Sequence, residues 1–129
     1  MIDVERGQKT GFFLDQRDNR NLLSQYCKGR SVLNTYSYSG GFSIYALNSG
    51  ATDVISVDVS KTAVELVEKN IHLNFPSATV PHHSLSRDVF DFFKTDESNY
   101  DVIILDPPAF AKSISKRLLL LLFILYLLF

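Results

Sequence analysis

The chain has 129 residues, of which 46% are hydrophobic, and its formal net charge at pH 7 is −1. This length predicts one domain or most of one. The small net charge excludes a global field that would draw the chain to nucleic acid or to an anionic membrane. The single cysteine, Cys27, excludes an internal disulfide, and the first twenty residues are too charged for a secretory signal. We therefore expect a cytoplasmic protein.

Hydrophobic spacing and turn residues predict strands that alternate with helices. In chain order the predictions are a short strand or extended arm around 12–14, a helix over 19–28, a strand over 31–36, a helix over 42–48, a strand over 53–59, a helix over 61–74 with Ser60 as its N-cap, a strand over 79–84, a short helix over 88–94 and a strand over 100–106. Strands alternating with helices indicate βαβ units and parallel pairing. We therefore predict an α/β fold with a parallel sheet.

A turn rich in glycine and serine, residues 36–42 (YSYSGGF), connects the first predicted strand to the next helix. Gly40 and Gly41 would let a ligand approach the backbone, and the N-terminus of the following helix offers N–H groups to it. A plain tight connection between strand and helix explains the glycines equally well. Taken alone, the turn is weak evidence for a ligand site.

Acidic residues follow three successive predicted strands. Asp58 comes 18 residues after Gly40, close to the roughly 20-residue offset at which an acid accepts hydrogen bonds from ribose hydroxyls. Asp88 lies where the third strand gives way to its helix, and it could either accept a hydrogen bond from the amine of adenine or cap that helix. Asp106 ends the fourth strand. Because parallel strands end at the same edge of a sheet, we expect these carboxylates to surround one pocket.

The run from Asp106 to Phe110 (DPPAF) follows the apolar stretch 102–105. Each proline fixes φ and lacks an N–H, so this strand cannot continue smoothly into a helix. The run places an acid, carbonyl groups and an aromatic ring where open α/β sheets bind ligands, which suits a planar, amino-bearing nucleobase. A simple strand-terminating turn would also explain the prolines. Together with the turn and the acids, the run favours S-adenosylmethionine over a nicotinamide cofactor, which would prefer G-x-G-x-x-G.

With these features the chain resembles the class I S-adenosylmethionine-dependent RNA methyltransferases. It is most similar to the bacterial large-subunit 23S rRNA methyltransferase family that makes 5-methylcytosine. The matching stretches are GQKTGFFLDQRDNR (7–20), VLNTYSYSGGFSIYALNSGA (32–51), VISVDVSKTAVELVEKNIHLN (54–74), RDVFDFF (87–93) and DVIILDPPAFAKS (101–113). The resemblance implies a Rossmann-like class I methyltransferase sheet, mostly parallel, with helices on both faces. It also implies that about four of the usual seven strands are present, in the order 3-2-1-4.

The resemblance implies S-adenosyl-L-methionine as the cofactor and assigns residues to its parts. The residues implied for its methionine portion are Tyr36, Ser37, Tyr38, Gly40, Gly41 and Phe42. Asp58 is implied for the ribose and Asp88 for the adenine, and Asp106 is also implied as a cofactor-binding residue. Asp15, Arg17 and Arg20 are implied either to close over the cofactor or to touch RNA.

The implied macromolecular partner is ribosomal RNA. The residues implied to face the flipped base are Asp106, Pro107, Pro108 and Phe110. The candidate RNA contacts are Lys9, Arg17 and Arg20, although a few cations in the first thirty residues are unremarkable. Adjacent His82 and His83 would point to opposite faces of a strand, so we expect a surface or partly buried pair and no metal site.

The family comparison divides the chain into an N-terminal arm and helix (1–30), an S-adenosylmethionine-binding core (31–113) and an apolar tail (114–129). Members of the family carry an RNA-binding PUA domain before this segment and three more strands after it. We therefore expect a chain cut at both ends, with weak or no activity, or a non-catalytic remnant that binds cofactor. The twelve apolar residues 118–129 are fewer than the roughly 20 that span a membrane, which leaves a buried element, a tail anchor or a shifted reading frame open.

The cytosine-modifying members of the family use a nucleophilic cysteine that lies in the part missing here. Related guanine-modifying enzymes share the Asp-Pro-Pro-x-Phe motif and differ in the same missing part, which leaves the modified base and its atom open. Cys27 precedes the first predicted strand. We expect it to be a core thiol in an apolar patch with Leu22, Leu23 and Tyr26, since free cysteine usually packs as a small hydrophobe.

Overall fold

The computed structural model describes residues 14–77 and 79–107. A short 3-10 helix, Leu14–Gln16, leads into helix α1. The regular elements are α1 (Arg17–Cys27), β1 (Ser31–Thr35), α2 (Gly41–Asn48), β2 (Asp53–Asp58), α3 (Lys61–Asn74), β3 (His82–Ser86), α4 (Val89–Thr95) and β4 (Val102–Leu105). Every helix and strand predicted after residue 18 is therefore present. Of the predicted arm around 12–14, only Leu14 lies among the described residues, and it begins the 3-10 helix.

The four strands form one sheet in the order β3-β2-β1-β4, and all three pairings are parallel. This order confirms the 3-2-1-4 arrangement. In the register, Thr35 pairs with both Val57 and Leu105, so β1 and β4 end at the same level and β2 ends one residue later, at Asp58. The chain leaves β1 towards β2 and β3, and β4 then returns to the other side of β1. Open α/β sheets bind their ligands at this kind of switch point, outside the carboxyl ends of the strands.

Side chains alternate between two apolar layers, one on each face of the sheet. On one face Val32 and Val54 pack against residues of α1, α2 and α3, including Ala46 and Val67. On the other face the second cluster consists of Leu33, Val57, Val89 and Phe92, the last two from α4. Helices therefore cover both faces of the sheet, as expected.

Cys27 is a core thiol, as predicted. Its side chain is fully buried, Sγ donates to the Leu23 carbonyl at 3.3 Å, and burial raises the thiol pKa. The predicted patch around it is only partly right, since Leu22 and Tyr26 are each 52% exposed. Both residues lie on the outer face of α1, because the helix turns them away from the sheet.

The third strand begins later than predicted, at His82 instead of residue 79. Pro81 explains the difference, because proline has no N–H with which to enter the ladder. Its carbonyl still accepts a hydrogen bond from the Val54 amide at 2.8 Å. The strand therefore starts at the first residue after the proline.

The two adjacent histidines point to opposite sides of β3, as predicted. The His82 side chain is only 2% exposed, whereas His83 is exposed. His82 Nε2 lies 2.9 Å from Ser56 Oγ, which lies 2.7 Å from Ser43 Oγ. The Asn34 amide donates to the same Ser43 hydroxyl at 2.8 Å, so a polar chain crosses three strands beneath α2. Among residues 14–77 and 79–107, no group of three His, Cys, Asp or Glu side chains could hold a metal ion.

None of the helices within residues 14–77 and 79–107 combines the length and the apolar composition of a membrane span. The apolar tail 114–129 lies outside the described residues, and so do the predicted positions Lys9, Pro108 and Phe110.

The buried His82 predicts a loss of stability in mild acid. Burial lowers the pKa of His82 below its ordinary value, and the Glu68 carboxylate opposes this change. The unfolded chain then binds more protons than the folded chain, so the stabilisation present above the unfolded pKa is lost as the pH falls below it. We expect the free energy of unfolding to fall between pH 7 and pH 5, and to fall less in His82→Gln. Urea denaturation followed by circular dichroism measures this, with His83→Gln as the exposed control. Parallel pH profiles for the wild type and His82→Gln would contradict the prediction.

Candidate functional site

The turn between β1 and α2 carries backbone strain. Tyr36 and Tyr38 have φ values of 53° and 47°, and Gly40 follows with 77°. Positive φ is uncommon for residues other than glycine, and bulky residues adopt it only where surrounding structure holds them there. Strain of this kind clusters at ligand-binding sites. The conformation of this turn therefore depends on tertiary contacts.

Asp58 supplies the main contact that holds the turn. Its Oδ2 accepts a hydrogen bond from the Tyr38 amide at 2.9 Å, and its Oδ1 accepts one from the Ser60 amide at 2.9 Å. The helix that follows is capped by Ser60, whose Oγ accepts from the Ala63 amide, so Asp58 does not serve as its N-cap. The carboxylate instead joins the end of β2 to the turn after β1. Asp58 is the last residue of β2 and is half-buried, so it borders the edge of the sheet at which the strands end.

Helix α3 packs against the same turn. A Cβ atom built on Gly40 would lie 3.0 Å from Val67 Cγ1. Gly40 is also the N-cap of α2, and it has no side chain with which to cap the helix. The first N–H groups of α2 therefore face the sheet edge with the positive end of the helix dipole.

The Ser37 hydroxyl is buried within the turn and has no hydrogen-bond partner among the described residues. A buried polar group without a partner costs about 1–3 kcal/mol. A ligand with a polar group at this position would remove that cost. The observation therefore points to the turn as a place where a ligand binds.

The Tyr36 phenol lies close to two of the predicted acids. Burial raises its pKa, and the Asp88 and Asp58 carboxylates raise it further. Asp88 caps α4, because its Oδ1 accepts from the Phe90 amide at 2.9 Å and from the Asp91 amide at 3.1 Å. The capping alternative for Asp88 is thus confirmed, and its contact with adenine stays a prediction.

Asp106 follows β4 on the other side of the turn, near residues of the N-terminal segment. Partial burial raises the pKa of Asp106, Asp15 raises it further and Arg20 lowers it. Arg20 is only 4% exposed, and its Cζ lies 5.8 Å from the centre of the Phe42 ring. The structure thus brings Asp15, Arg20 and Asp106 together with the first turn of α2. Arg17 is exposed and Pro107 is half-buried.

The sequence analysis missed the polar residues that support the turn, above all Asn70. This residue of α3 is 4% exposed, and its side-chain amide donates to the Ser39 carbonyl at 2.9 Å. Its spacing from Val67 and Ile71 places it on the inward face of the helix. An asparagine at an apolar position of a helical pattern was the available signal, since buried polar groups need partners.

Comparisons with known proteins agree with this geometry. Residues 1–120 match the family model described as S-adenosylmethionine-dependent methyltransferase, so the chain belongs to this family. A ribosomal RNA large subunit methyltransferase from Deinococcus radiodurans is 45% identical over 118 residues, which are 89% of this chain and 29% of that protein.

Two solved structures share the fold at 40% identity. One is a candidate SAM-dependent methyltransferase from Streptococcus mutans, with a TM-score of 0.73 over 83% of this chain and 30% of that one. The other, SMU.776, is a candidate methyltransferase complexed with SAH, with a TM-score of 0.74 over 83% of this chain and 29% of that one. The chain thus spans less than a third of the length of each of these proteins.

The residues present fit the family's cofactor, S-adenosylmethionine. The first turn of α2 offers N–H donors for a carboxylate, and the buried Ser37 hydroxyl lacks a partner among the described residues. Asp58 and Asp88 add acceptors for hydroxyl and amino groups at the same edge of the sheet. A methionine carboxylate, a ribose and an adenine together offer the matching groups.

We predict that adding a methyl group at Gly40 lowers the stability of the fold. The Gly40→Ala variant should lose about 1–3 kcal/mol of unfolding free energy, because it combines positive φ with a contact against Val67. Chemical denaturation measures the loss. Gly29→Ala is the matched control, since Gly29 has a φ of 71° and a Cβ added there would meet no atom within 4 Å. We expect the control to lose less, and an equal loss would show that the Val67 contact contributes nothing.

Proposed function

We propose that this chain provides the cofactor-binding part of a methyltransferase that acts on a base of large-subunit ribosomal RNA, with cytosine C5 of 23S rRNA as the target. One observation carries the proposal. The Asp58 carboxylate holds the strained turn against β2, which gathers the turn and the acids at one edge of the sheet. The name of the Deinococcus radiodurans relative supports the choice of RNA.

In this proposal the turn and the acids each contact a different part of the cofactor. Asp58 accepts hydrogen bonds from the ribose hydroxyls, and Asp88 accepts one from the adenine amine through its carboxylate. The residues proposed for the methionine portion are Tyr36, Ser37, Tyr38, Gly40, Gly41 and Phe42. Asp15 and Arg17 close over the cofactor from the N-terminal side. The burial of Arg20 against Phe42 supports a role on the cofactor side and not in direct RNA contact.

The proposed base site lies at the end of β4. The Asp106 carboxylate accepts a hydrogen bond from an exocyclic amine of the base. Burial and Asp15 raise the pKa of this carboxyl group, and Arg20 opposes that rise. Pro107, Pro108 and Phe110 provide the stiff platform and the stacking ring. Taking a base out of its stack costs a few kcal/mol, less in single-stranded RNA, and stacking on an aromatic ring offsets part of that cost.

S-adenosylmethionine supplies a methyl group that is bound to a positively charged sulfur. The protein's contribution is to hold the cofactor and the base in line, because most of the rate gain comes from near-attack geometry. For cytosine C5, a thiolate must first add to C6. The chain's single cysteine, Cys27, is buried in the core with a raised pKa, so it does not serve this step.

We therefore expect these 129 residues alone to bind cofactor and to transfer methyl groups weakly or not at all. The buried Cys27 favours, as a second candidate function, a remnant that binds cofactor without catalysing transfer. For the enzyme, a ribosomal RNA partner implies a cytoplasmic location. Lys9 and the exposed Arg17 are the proposed RNA contacts.

The first test is calorimetric titration with S-adenosylhomocysteine. We expect saturable binding at one site per chain, and at least tenfold weaker binding by Asp58→Ala, a factor that corresponds to about 1.4 kcal/mol. The loss follows because the variant removes both the ribose acceptor and the acceptor of the Tyr38 amide. Asp53→Ala is the matched control, since Asp53 is the first residue of β2 and lies at the end of the strand opposite to Asp58.

The outcomes separate the candidates. Absence of binding by the wild type would overturn the proposal, and an equal loss in Asp53→Ala would remove the assigned role of Asp58. Incubation of the chain with radiolabelled S-adenosylmethionine and unmodified large-subunit rRNA then distinguishes enzyme from remnant. Binding with methyl transfer supports the enzyme, and binding without transfer supports the remnant.

A further inference from the structure

A buried side-chain amide of α3 contacts the backbone of the turn between β1 and α2. Asn70 is 4% exposed, and its Nδ2 donates to the Ser39 carbonyl at 2.9 Å across 31 residues of sequence. Burying a polar side chain is costly unless it is hydrogen-bonded, so an asparagine on this inward face needs such a contact. One turn earlier on the same helix, Val67 packs where a Cβ on Gly40 would lie. Helix α3 thus touches the turn at two adjacent points.

The peptide between Ser39 and Gly40 is held at both of its polar ends. Its carbonyl accepts from Asn70, and its N–H donates to the Ser37 carbonyl at 2.8 Å. Ser39 itself is only 5% exposed, so water cannot readily replace either partner. A rotated peptide would bury its carbonyl without the bond from Asn70, at the cost of a lost buried hydrogen bond. Asn70 therefore selects one orientation of this peptide.

We propose that Asn70 is a positioning residue that fixes the Ser39–Gly40 peptide and thereby prepares the turn for the adenosyl cofactor. This inference rests on the proposed function of the turn. Asn70 acts through Ser39 and does not itself touch the cofactor. A turn already held in its binding conformation does not lose conformational entropy when the ligand binds, which increases affinity. The alternative is that the hydrogen bond to Ser39 only provides the buried Asn70 amide with a partner. Its loss would then leave the affinity for the cofactor unchanged.

The test compares S-adenosylhomocysteine binding by the wild type and by Asn70→Asp. The variant keeps the shape of the side chain but replaces the donor with a carboxylate oxygen, which repels the Ser39 carbonyl. We expect about tenfold weaker binding in calorimetric titration. Asn74→Asp is the matched control, because Asn74 lies one turn later on the same helix, is exposed, and its side-chain amide donates to the Asn70 backbone carbonyl within that helix. We expect its affinity to stay within about twofold of the wild type.

A second readout separates positioning from general support of the fold. Hydrogen exchange of the Gly40 amide should become faster in Asn70→Asp, because the peptide loses one of its two anchors. Exchange of the Phe75 amide, which donates to Ile71 at the end of the same helix, should not change. Wild-type affinity in Asn70→Asp, or faster exchange at both amides, would overturn the inference.

A measurement on the wild type decides the matter if Asn70→Asp does not fold. In the ligand-free wild type, the Asn70 side-chain amide and the Gly40 backbone amide should already exchange slowly, because both are hydrogen-bonded before the ligand binds. Fast exchange of the Asn70 side-chain amide in the ligand-free protein would overturn the inference. Absence of any binding by the wild type would overturn the proposed function instead, and the exchange of the Gly40 amide would still decide whether Asn70 fixes the turn.

Discussion

The hydrogen bond from the Tyr38 amide to Asp58 is the contact on which the site depends. The turn after β1 holds two tyrosines at positive φ, a conformation that their side chains disfavour. Asp58 compensates for this strain with a charge-assisted bond, which is stronger than a bond between neutral groups. The same carboxylate is then presented at the sheet edge, so one residue both shapes the turn and offers an acceptor to a ligand.

The topology explains why this contact lies beside the other candidate residues. Because β1 is flanked by β2 and β4 and the three strands end within one residue of each other, the turn, Asp58 and Asp106 all leave the sheet at one edge. Helix α1 then brings the buried Arg20 over Phe42 and towards Asp106. The two sides of the turn therefore differ in chemistry. One side offers acceptors for hydroxyl and amino groups, and the other places a cation beside an acid.

Sequence patterns predict a helix or strand well where residues close to it in the chain determine its bounds. Lys61–Asn74 has the predicted bounds because Ser60 caps it and its apolar spacing is helical. Prediction is poorer where the outcome depends on neighbours. The predicted start of β3 is wrong because Pro81 limits the ladder, and the predicted core positions of Leu22 and Tyr26 are wrong because α1 exposes both. Hydrophobicity alone does not tell which side of a helix faces the sheet.

The sequence by itself determined the α/β fold, the strand order through family resemblance, and the residue types at the ends of the strands. The fold class and the residue types follow from periodicity and motif spacing, which are local in the chain, whereas the strand order is what the family resemblance implies. Only the tertiary structure decided that Asp58 bonds the turn and that Asn70 supports it from α3. Such bonds join residues 20 and 31 positions apart. The first exists only once β2 has paired with β1, and the second only once helix α3 has packed on the sheet.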